Sequence, residues 1–583
     1  MSGRFKFIIF IIFIIVLIFI ARLFELQILG RDFYISKEKR IEDIPAERGE
    51  ILIKEEDQFY PLAINTTRYD LIASPVNIKE GEIKNWINQM IELDVLDIKE
   101  KISENGNHPL ILEENQDNIK IKEMIERLSK KGDYYELIKK DLTKRKVEEI
   151  KSNNVKGIFF EPKTKRYYPE NNLFSHVTGF LGYNAGNPQG QYGVEEFLND
   201  KLTGKPGKRE LSLAAGEKDF LASKIKKAPK DGKDAILTLD HSIQFFTCSL
   251  LKESINKYKA DTGSIIVMDP KTGSILSMCN QPDFNPNQYS KVKDLKTLKN
   301  NSIAFAFEPG SIFKPLTMAS AIDQGVVEAE TTFFDPGEIK VEDFTITNVK
   351  NRRFGRVDMT EVLEKSINTG IIFAAKKLGK QNFRNYLKKF GFGSLTGIAL
   401  AGEEGGDISN LDKISKTYFY TASYGHGISA TPLQIISAFN AIANSGKLIK
   451  PRIVAGFRSN NQLDLNDPKL IRQVIKTKSA NIVSAMMVSV VKNGYGKKAG
   501  LKGYNIAGKT GTALIPKKGE REYSDKVIHS FIGFAPAENP RFTALITLRN
   551  PKTEDFSDAT AAPTFGKLAE FILDYFNVPP TQK

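Results

Sequence analysis

The stretch Phe7 to Ala21, "FIIFIIFIIVLIFIA", contains no charged or polar side chain, and Leu23, Phe24 and Leu26 carry the apolar character past Arg22. A run of this kind is at home in hydrocarbon, not on a water-facing surface. A bilayer span needs about 20 apolar residues, so the flanks must contribute, with Arg22 snorkelling to the interface. Arg4 and Lys6 precede the run, a bias that keeps the N-terminus cytoplasmic and exports the remainder of the chain. A cleaved signal peptide is the competing reading, but no A-x-A-like site comes after the run. We therefore expect a tail over residues 1–6, an uncleaved anchor over 7–26, and a chain that folds outside the cytoplasmic membrane from about residue 25 onward.

At 583 residues the chain is too long for one compact core, so two or more domains are expected. The net charge of +14 reads as a lysine surplus on a Lys/Glu-rich surface. No arginine-rich tail or interleaved aromatic stripe points to nucleic acid. The five histidines are scattered, with no cluster at metal-ligand spacing, so no metal is expected. The two cysteines, Cys248 and Cys279, fall in a helix and a strand; a disulfide is geometrically open, but we read them as buried free thiols.

Residues 25–50 read as a polar, helix-like stretch, followed by short strands at "ERGEILI" and "YDLIAS". From about 80 to 155 the pattern is helical, with Trp86, Ile87, Met90 and Ile91 on one face. Nothing between 25 and 230 forms a convincing catalytic cluster, so this part reads as a pedestal or docking module. The character changes near "DGKDAILTLDHSIQ". Asp240 can cap a helix from His241 through Tyr258. Two apolar strands, 264–268 and 274–279, are then joined by "DPKTG", a hairpin turn in which Pro270 presets φ and Gly273 supplies positive φ.

Three later patches carry chemistry. In "FEPGSIFKP", Pro309 and Gly310 break the chain, and a helix follows with Ser311 and Lys314 one turn apart on one face. A serine hydroxyl needs a base, and a buried lysine of lowered pKa can serve. Ser-x-x-Lys is a weak signal alone and recurs at Ser36/Lys39, Ser249/Lys252 and elsewhere; the break, the helix and the apolar residues between set Ser311 apart. In "DMTEVLEKSINTG", Asp358 and Glu361 suggest a capping box on a short helix ending near Ser366, with Ser366 and Asn368 in the loop beyond it. In "NIAGKTGTALI", a second Lys-Thr-Gly lies within a strand: Lys509 offers charge, Thr510 and Thr512 hydroxyls, and Gly508 and Gly511 room for a close backbone approach by a ligand.

Ser-x-x-Lys, Ser-x-Asn and Lys-Thr-Gly in this order form the signature of penicillin-binding proteins and their β-lactamase relatives, and the chain resembles that superfamily. "TLDHSIQ", "SYGHGISATPLQ" and "FIGFAPAENP" are similar to transpeptidase-domain segments. "AERGEI" and "YGVEEFLNDKLTGKPG" resemble the N-terminal module of the class B, monofunctional members. The resemblance implies an α/β (α+β) fold: a transpeptidase-like domain over 233–578 with a five-stranded, mainly antiparallel sheet flanked by helices, preceded by an elongated mixed α/β pedestal over 27–232. It also implies acyl transfer on D-Ala-D-Ala stem peptides without a cofactor. Ser311 is then the nucleophile and Lys314 its base; Ser366 is the proton relay, Asn368 the orienting amide and Lys509 the polarising cation. Thr510, Gly511 and Thr512 would bind substrate, with the N–H groups of Ser311 and Thr512 as oxyanion hole.

Other readings fit less well. A β-lactamase needs a water-activating base for which no convincing candidate stands out, and a β-lactam sensor needs further spans or an HExxH protease. A non-catalytic divisome scaffold is at odds with intact Ser311, Lys314 and Lys509. "SINTG", "LAGEEGG" and the C-terminal "AAPTFGKLAEFILDYFNVPP" resemble the division type more than the elongation type. By resemblance the partners are stem peptides, β-lactams as inhibitors, the cytoplasmic membrane of a bacterium, a polytopic glycosyltransferase and other divisome proteins.

Overall fold

The computed structural model describes residues 3–29, 39–98, 116–130, 132–184, 186–213, 221–460, 462–517 and 522–581. Gly3–Phe24 is one α-helix. The stretch Phe7–Leu29 is long and apolar enough to cross a membrane, and none of it is buried by protein. Among the described residues of 25–50, the helix-like reading holds for Glu25–Leu29; Lys39–Ile44 is instead a strand, paired antiparallel with Gly207–Leu213. That partner lies far down the chain, and its pairing overrides the local polar pattern. Residues 30–38 lie outside the described residues.

The chain forms two compact units: Ala63–Pro169, and Met1–Leu62 together with Glu170–Lys583. In the smaller unit the strand ending at Ala73 pairs antiparallel with Glu136–Leu142 and Ile158–Tyr167. The helix Ile83–Glu92 buries Trp86, Ile87 and Met90 against Met124, Leu128, Val147 and Ile150. The predicted helical face is therefore the core face, with Ile91 half-buried at its margin. The Trp86 indole donates to the Lys156 carbonyl at 3.1 Å, satisfying its one polar group.

The larger unit is built on a fully antiparallel five-stranded sheet in the order Ile275–Gln281, Thr262–Met268, Phe542–Arg549, Tyr523–Ala535, Ala507–Pro516. The first Lys-Thr-Gly is the predicted turn: Asp269 accepts from the N–H groups of Lys271 and Thr272, and Gly273 has φ +70°. His241–Tyr258, capped by Asp240, and Ala561–Tyr575 cover one face around a core of Leu251, Ile265, Phe531, Phe542 and Phe565. On the helix Pro432–Ala443 every residue from Pro432 to Ile442 is buried, the polar Gln434, Ser437 and Asn440 among them by virtue of their hydrogen bonds to backbone carbonyls.

The first of these covering helices also corrects the cysteine reading. Cys248 and Cys279 are joined in a disulfide, with Cα atoms 5.4 Å apart. Helix and strand were legible separately, but the packing that turns the two thiols toward each other is a tertiary property. A second sheet sets Ile51–Glu55 parallel to Asp234–Leu237, which pairs in turn with Val454–Ser459. Just before it, Arg48 Nη2 lies 2.6 Å from the Glu195 carboxylate, which is wholly buried, and Arg48 donates further to Thr203 Oγ1 at 2.8 Å. "AERGEI" and "YGVEEF" thus meet in one ion pair.

Candidate active site

Ser311 lies in a tight turn, Gly310–Phe313, that runs into the helix Lys314–Asp323. Pro315 sits in the first turn of that helix, where its missing N–H costs nothing. Gly310 has φ +58° and donates its N–H to the Gly425 carbonyl at 3.0 Å. Gly425 has φ +86°, and a Cβ there would stand 2.3 Å from the Gly310 oxygen. Two glycines pressed together thus set the position of the Ser311 turn. Ile312, Phe313, Leu316 and Ala319 fill the core beneath it.

Lys314 is fully buried and donates from Nζ to Ser366 at two points, the carbonyl at 2.5 Å and Oγ at 3.1 Å. Lys509, also fully buried, donates to the same Oγ at 3.1 Å and to the Thr510 carbonyl at 3.0 Å. Residues from three distant parts of the chain therefore meet at one hydroxyl. Burial, and then the charge of Lys509, hold the Lys314 amine well below the ordinary lysine range. Burial alone brings Lys509 down to about 7. Ser366 is held at φ +53°, a conformation that non-glycine residues rarely keep without a compensating role.

The capping box of Asp358 and Glu361 is present on Met359–Glu364, and the next helix starts at Asn368. Its first N–H groups are capped from afar: Asn348 Oδ1 accepts from Asn368 N at 2.9 Å and Thr369 N at 3.2 Å. Asn348 in turn donates to both oxygens of Asp335 at 3.0 Å. That buried carboxylate also accepts from Thr369 Oγ1 at 2.5 Å and from Phe354 N at 2.8 Å. The Asn368 amide donates to the Thr347 carbonyl at 2.9 Å.

Ala507–Pro516 is the edge strand of the main sheet. Gly511 answers a different need from the one its sequence suggests: a Cβ there would stand 2.7 Å from Ile312 Cγ2 and from Ser530 Oγ. The close neighbour is the Ser311 turn itself. Thr512 Oγ1 donates to Ser557 Oγ and accepts from Ser557 N, both at 3.2 Å. Ser311, Ser366, Asn368, Thr510 and Thr512 line one cleft of about 600 Å³, with Lys314 and Lys509 buried behind its wall.

Several lining or adjoining groups carry no motif of their own. The Glu308 carboxylate accepts from Tyr523 OH at 2.9 Å and Gly427 N at 3.0 Å, and burial raises its pKa. His426 Nδ1 lies 3.9 Å from Glu308, and burial followed by the charge of Lys314 lowers the imidazole to about 4. Glu308 directly precedes Pro309 and His426 lies in "SYGHG", so proximity to recognised segments was the only available cue. Asn348 and Asp335 lay in unremarkable stretches.

The penicillin binding protein transpeptidase domain matches residues 263–570, and the penicillin-binding protein dimerisation domain residues 43–237. Stage V sporulation protein D of Bacillus subtilis is 32% identical over 465 residues, covering 79% of this chain and 70% of that protein. Peptidoglycan D,D-transpeptidase FtsI of Buchnera aphidicola (subsp. Baizongia pistaciae) is 33% identical over 448 residues, 74% of each chain. Penicillin binding protein 3 from Mycobacterium, solved with aztreonam, superposes with a TM-score of 0.64 at 31% identity, covering 72% of this chain and 93% of that one.

Proposed function

The chain belongs to the class B penicillin-binding proteins, and from that premise we propose that Ser311 is the acylated serine of a membrane-anchored peptidoglycan D,D-transpeptidase serving septal wall synthesis. The observation that carries this is the convergence of Lys314 Nζ and Lys509 Nζ on Ser366 Oγ beside the Ser311 turn. Lys314, its basicity lowered by burial and by the charge of Lys509, takes the Ser311 proton as Oγ attacks the carbonyl of the penultimate D-Ala. The oxyanion is received by the N–H groups of Ser311 and Thr512, worth on the order of 3 kcal/mol per donor. As the C–N bond breaks, Ser366 Oγ passes a proton from the lysine pair to the departing D-Ala amine. The resulting ester is attacked by an amine of a second strand, whose proton returns through the same relay while Ser311 is released.

The edge strand offers unpaired backbone groups along which a peptide can lie as an added strand, with Thr510, Gly511 and Thr512 at its carboxylate end. Asn368, at the cleft wall, orients the substrate amide. In this reading residues 1–6 are the cytoplasmic tail, 7–26 the anchor, 27–232 the pedestal and 233–578 the catalytic domain. The Cys248–Cys279 disulfide supports an extracytoplasmic site, since such bonds persist in oxidising compartments. A polytopic glycosyltransferase of the divisome supplies the strands to be joined.

Mass spectrometry of the penicillin-treated protein tests the assignment. An adduct on the Ser311 peptide, absent in Ser311→Ala, is expected; an adduct elsewhere sinks it.

A further inference from the structure

The D-Ala terminus and its β-lactam mimics carry a carboxylate, yet the lysine nearest the hydroxyls meant to hold it is compromised. Lys509 is wholly buried, its Nζ is engaged by Ser366 and Thr510, and at neutral pH only part of it is charged. The cations lining the cleft lie elsewhere: Lys350, Arg352 and Lys365. Lys365 is paired with Glu361 at 2.5 Å. Lys350 and Arg352 have no carboxylate within ion-pairing distance among the described residues, and neither pairs with Asp555 or Asp558, which also line the cleft. Arg352 donates to the Tyr495 hydroxyl at 2.7 Å, and the Lys350 ammonium stands 4.8 Å from the Phe556 ring, itself a lining group.

The loop that carries them is built rather than slack. Asn348 closes it on itself: its carbonyl accepts from Asn351 N at 2.9 Å and its amide donates to the Arg352 carbonyl at 3.1 Å. The same amide is bolted to the buried Asp335. Lys350 and Asn351 are both held in the left-handed region, at φ +57° and +51°. Two successive non-glycine residues in that conformation store strain of a kind found at ligand clamps. The anchor that caps the Asn368 helix therefore also aims two unpaired cations at the cleft.

We propose that the loop 348–352 adds the charge that the hydroxyls of Thr510 and Thr512 lack, with Lys350 and Arg352 drawing a free carboxylate of the substrate into this cleft. This rests on the transpeptidase reading of the Ser311 cleft. Two carboxylates share the chemistry: that of the terminal D-Ala, and a side-chain carboxylate further along the stem. Arg352 suits either, because its planar fork matches a carboxylate in two-point geometry.

The test uses the full-length protein in detergent and the neutral pair Lys350→Gln/Arg352→Gln. If the terminal carboxylate is the ligand, second-order acylation by benzylpenicillin falls about tenfold through weaker binding and loses its salt dependence. Acylation by the benzylpenicillin methyl ester, slower at the outset, changes little, and Lys350→Arg/Arg352→Lys restores most of the rate. If the side-chain carboxylate is the ligand, benzylpenicillin is unaffected, but the preference for strands with a free over an amidated side-chain carboxylate disappears in the variant. Unchanged acylation together with an unchanged free-to-amidated ratio overturns the proposal. Failure of penicillin to label Ser311 in the unaltered protein would instead remove the functional reading beneath it.

Discussion

Replacing Lys509 by methionine should stabilise the protein while disabling it, and the size of the gain should depend on pH. The side chain is fully buried and its pKa falls from 10.5 to about 7 through burial. Between those values the unfolded chain binds the proton and the folded one does not, so the parent's stability rises with pH across that window. By linkage, burying this lysine costs roughly 4 kcal/mol at pH 7 and about 1 kcal/mol at pH 9.5. Methionine fills similar volume without that cost. It also forfeits the bonds to Ser366 Oγ and the Thr510 carbonyl, together roughly 2 kcal/mol. The net gain is then about 2 kcal/mol at pH 7 and slightly negative at pH 9.5. Thermal melting of Lys509→Met beside the parent at the two pH values reads this as a Tm raised by several degrees at the lower pH only. Acylation by penicillin should meanwhile drop at least a hundredfold, because Ser366 loses one of its two amine partners. A stability difference that does not change with pH, or a variant less stable at pH 7, would show that the desolvation argument is wrong.

Two further substitutions probe the scaffold. Arg48→Ala removes the ion pair of the wholly buried Glu195 carboxylate and should cost about 3–5 kcal/mol, seen as a lower melting temperature; Arg48→Lys should rescue little, since it cannot reproduce the guanidinium's contacts with Glu195 and Thr203. Gly425→Ala combines a left-handed φ with a 2.3 Å clash against Gly310, so the Ser311 turn must shift. Its penicillin labelling should slow at least tenfold, and an unchanged rate would mean that this contact does not set the position of the Ser311 turn.

The features legible in the sequence share one property: their cause lies within a few residues. The Asp240 cap, the Asp358/Glu361 capping box and the turn at Gly273 are local chemistry, and all three are present. The triple motif is a different case, legible because chain order and flanking context narrowed three weak patterns to one. The features that escaped are held by partners far along the chain. Lys39–Ile44 becomes a strand only because Gly207–Leu213 lies beside it. Cys248 meets Cys279 only when helix packs on sheet. Asn348 caps a helix that begins twenty residues later, and nothing in "TITNVKNRR" announces that duty. Gly511 is a glycine for want of space, as its pattern suggests, but the neighbour is Ile312 rather than a ligand.

Ile51–Glu55 matters for anyone who would trim this protein into a soluble reagent for antibiotic screening. It runs alongside Asp234–Leu237 although it is encoded before the whole smaller unit. A fragment begun at residue 233 would keep the Ser311 cleft but strip that flank of its neighbour, leaving Ala235–Leu237 with raw backbone edges that invite another chain to fill them. The practical cut lies just beyond the greasy helix, ahead of Glu47, so that the leader of the polypeptide remains stitched into its far half.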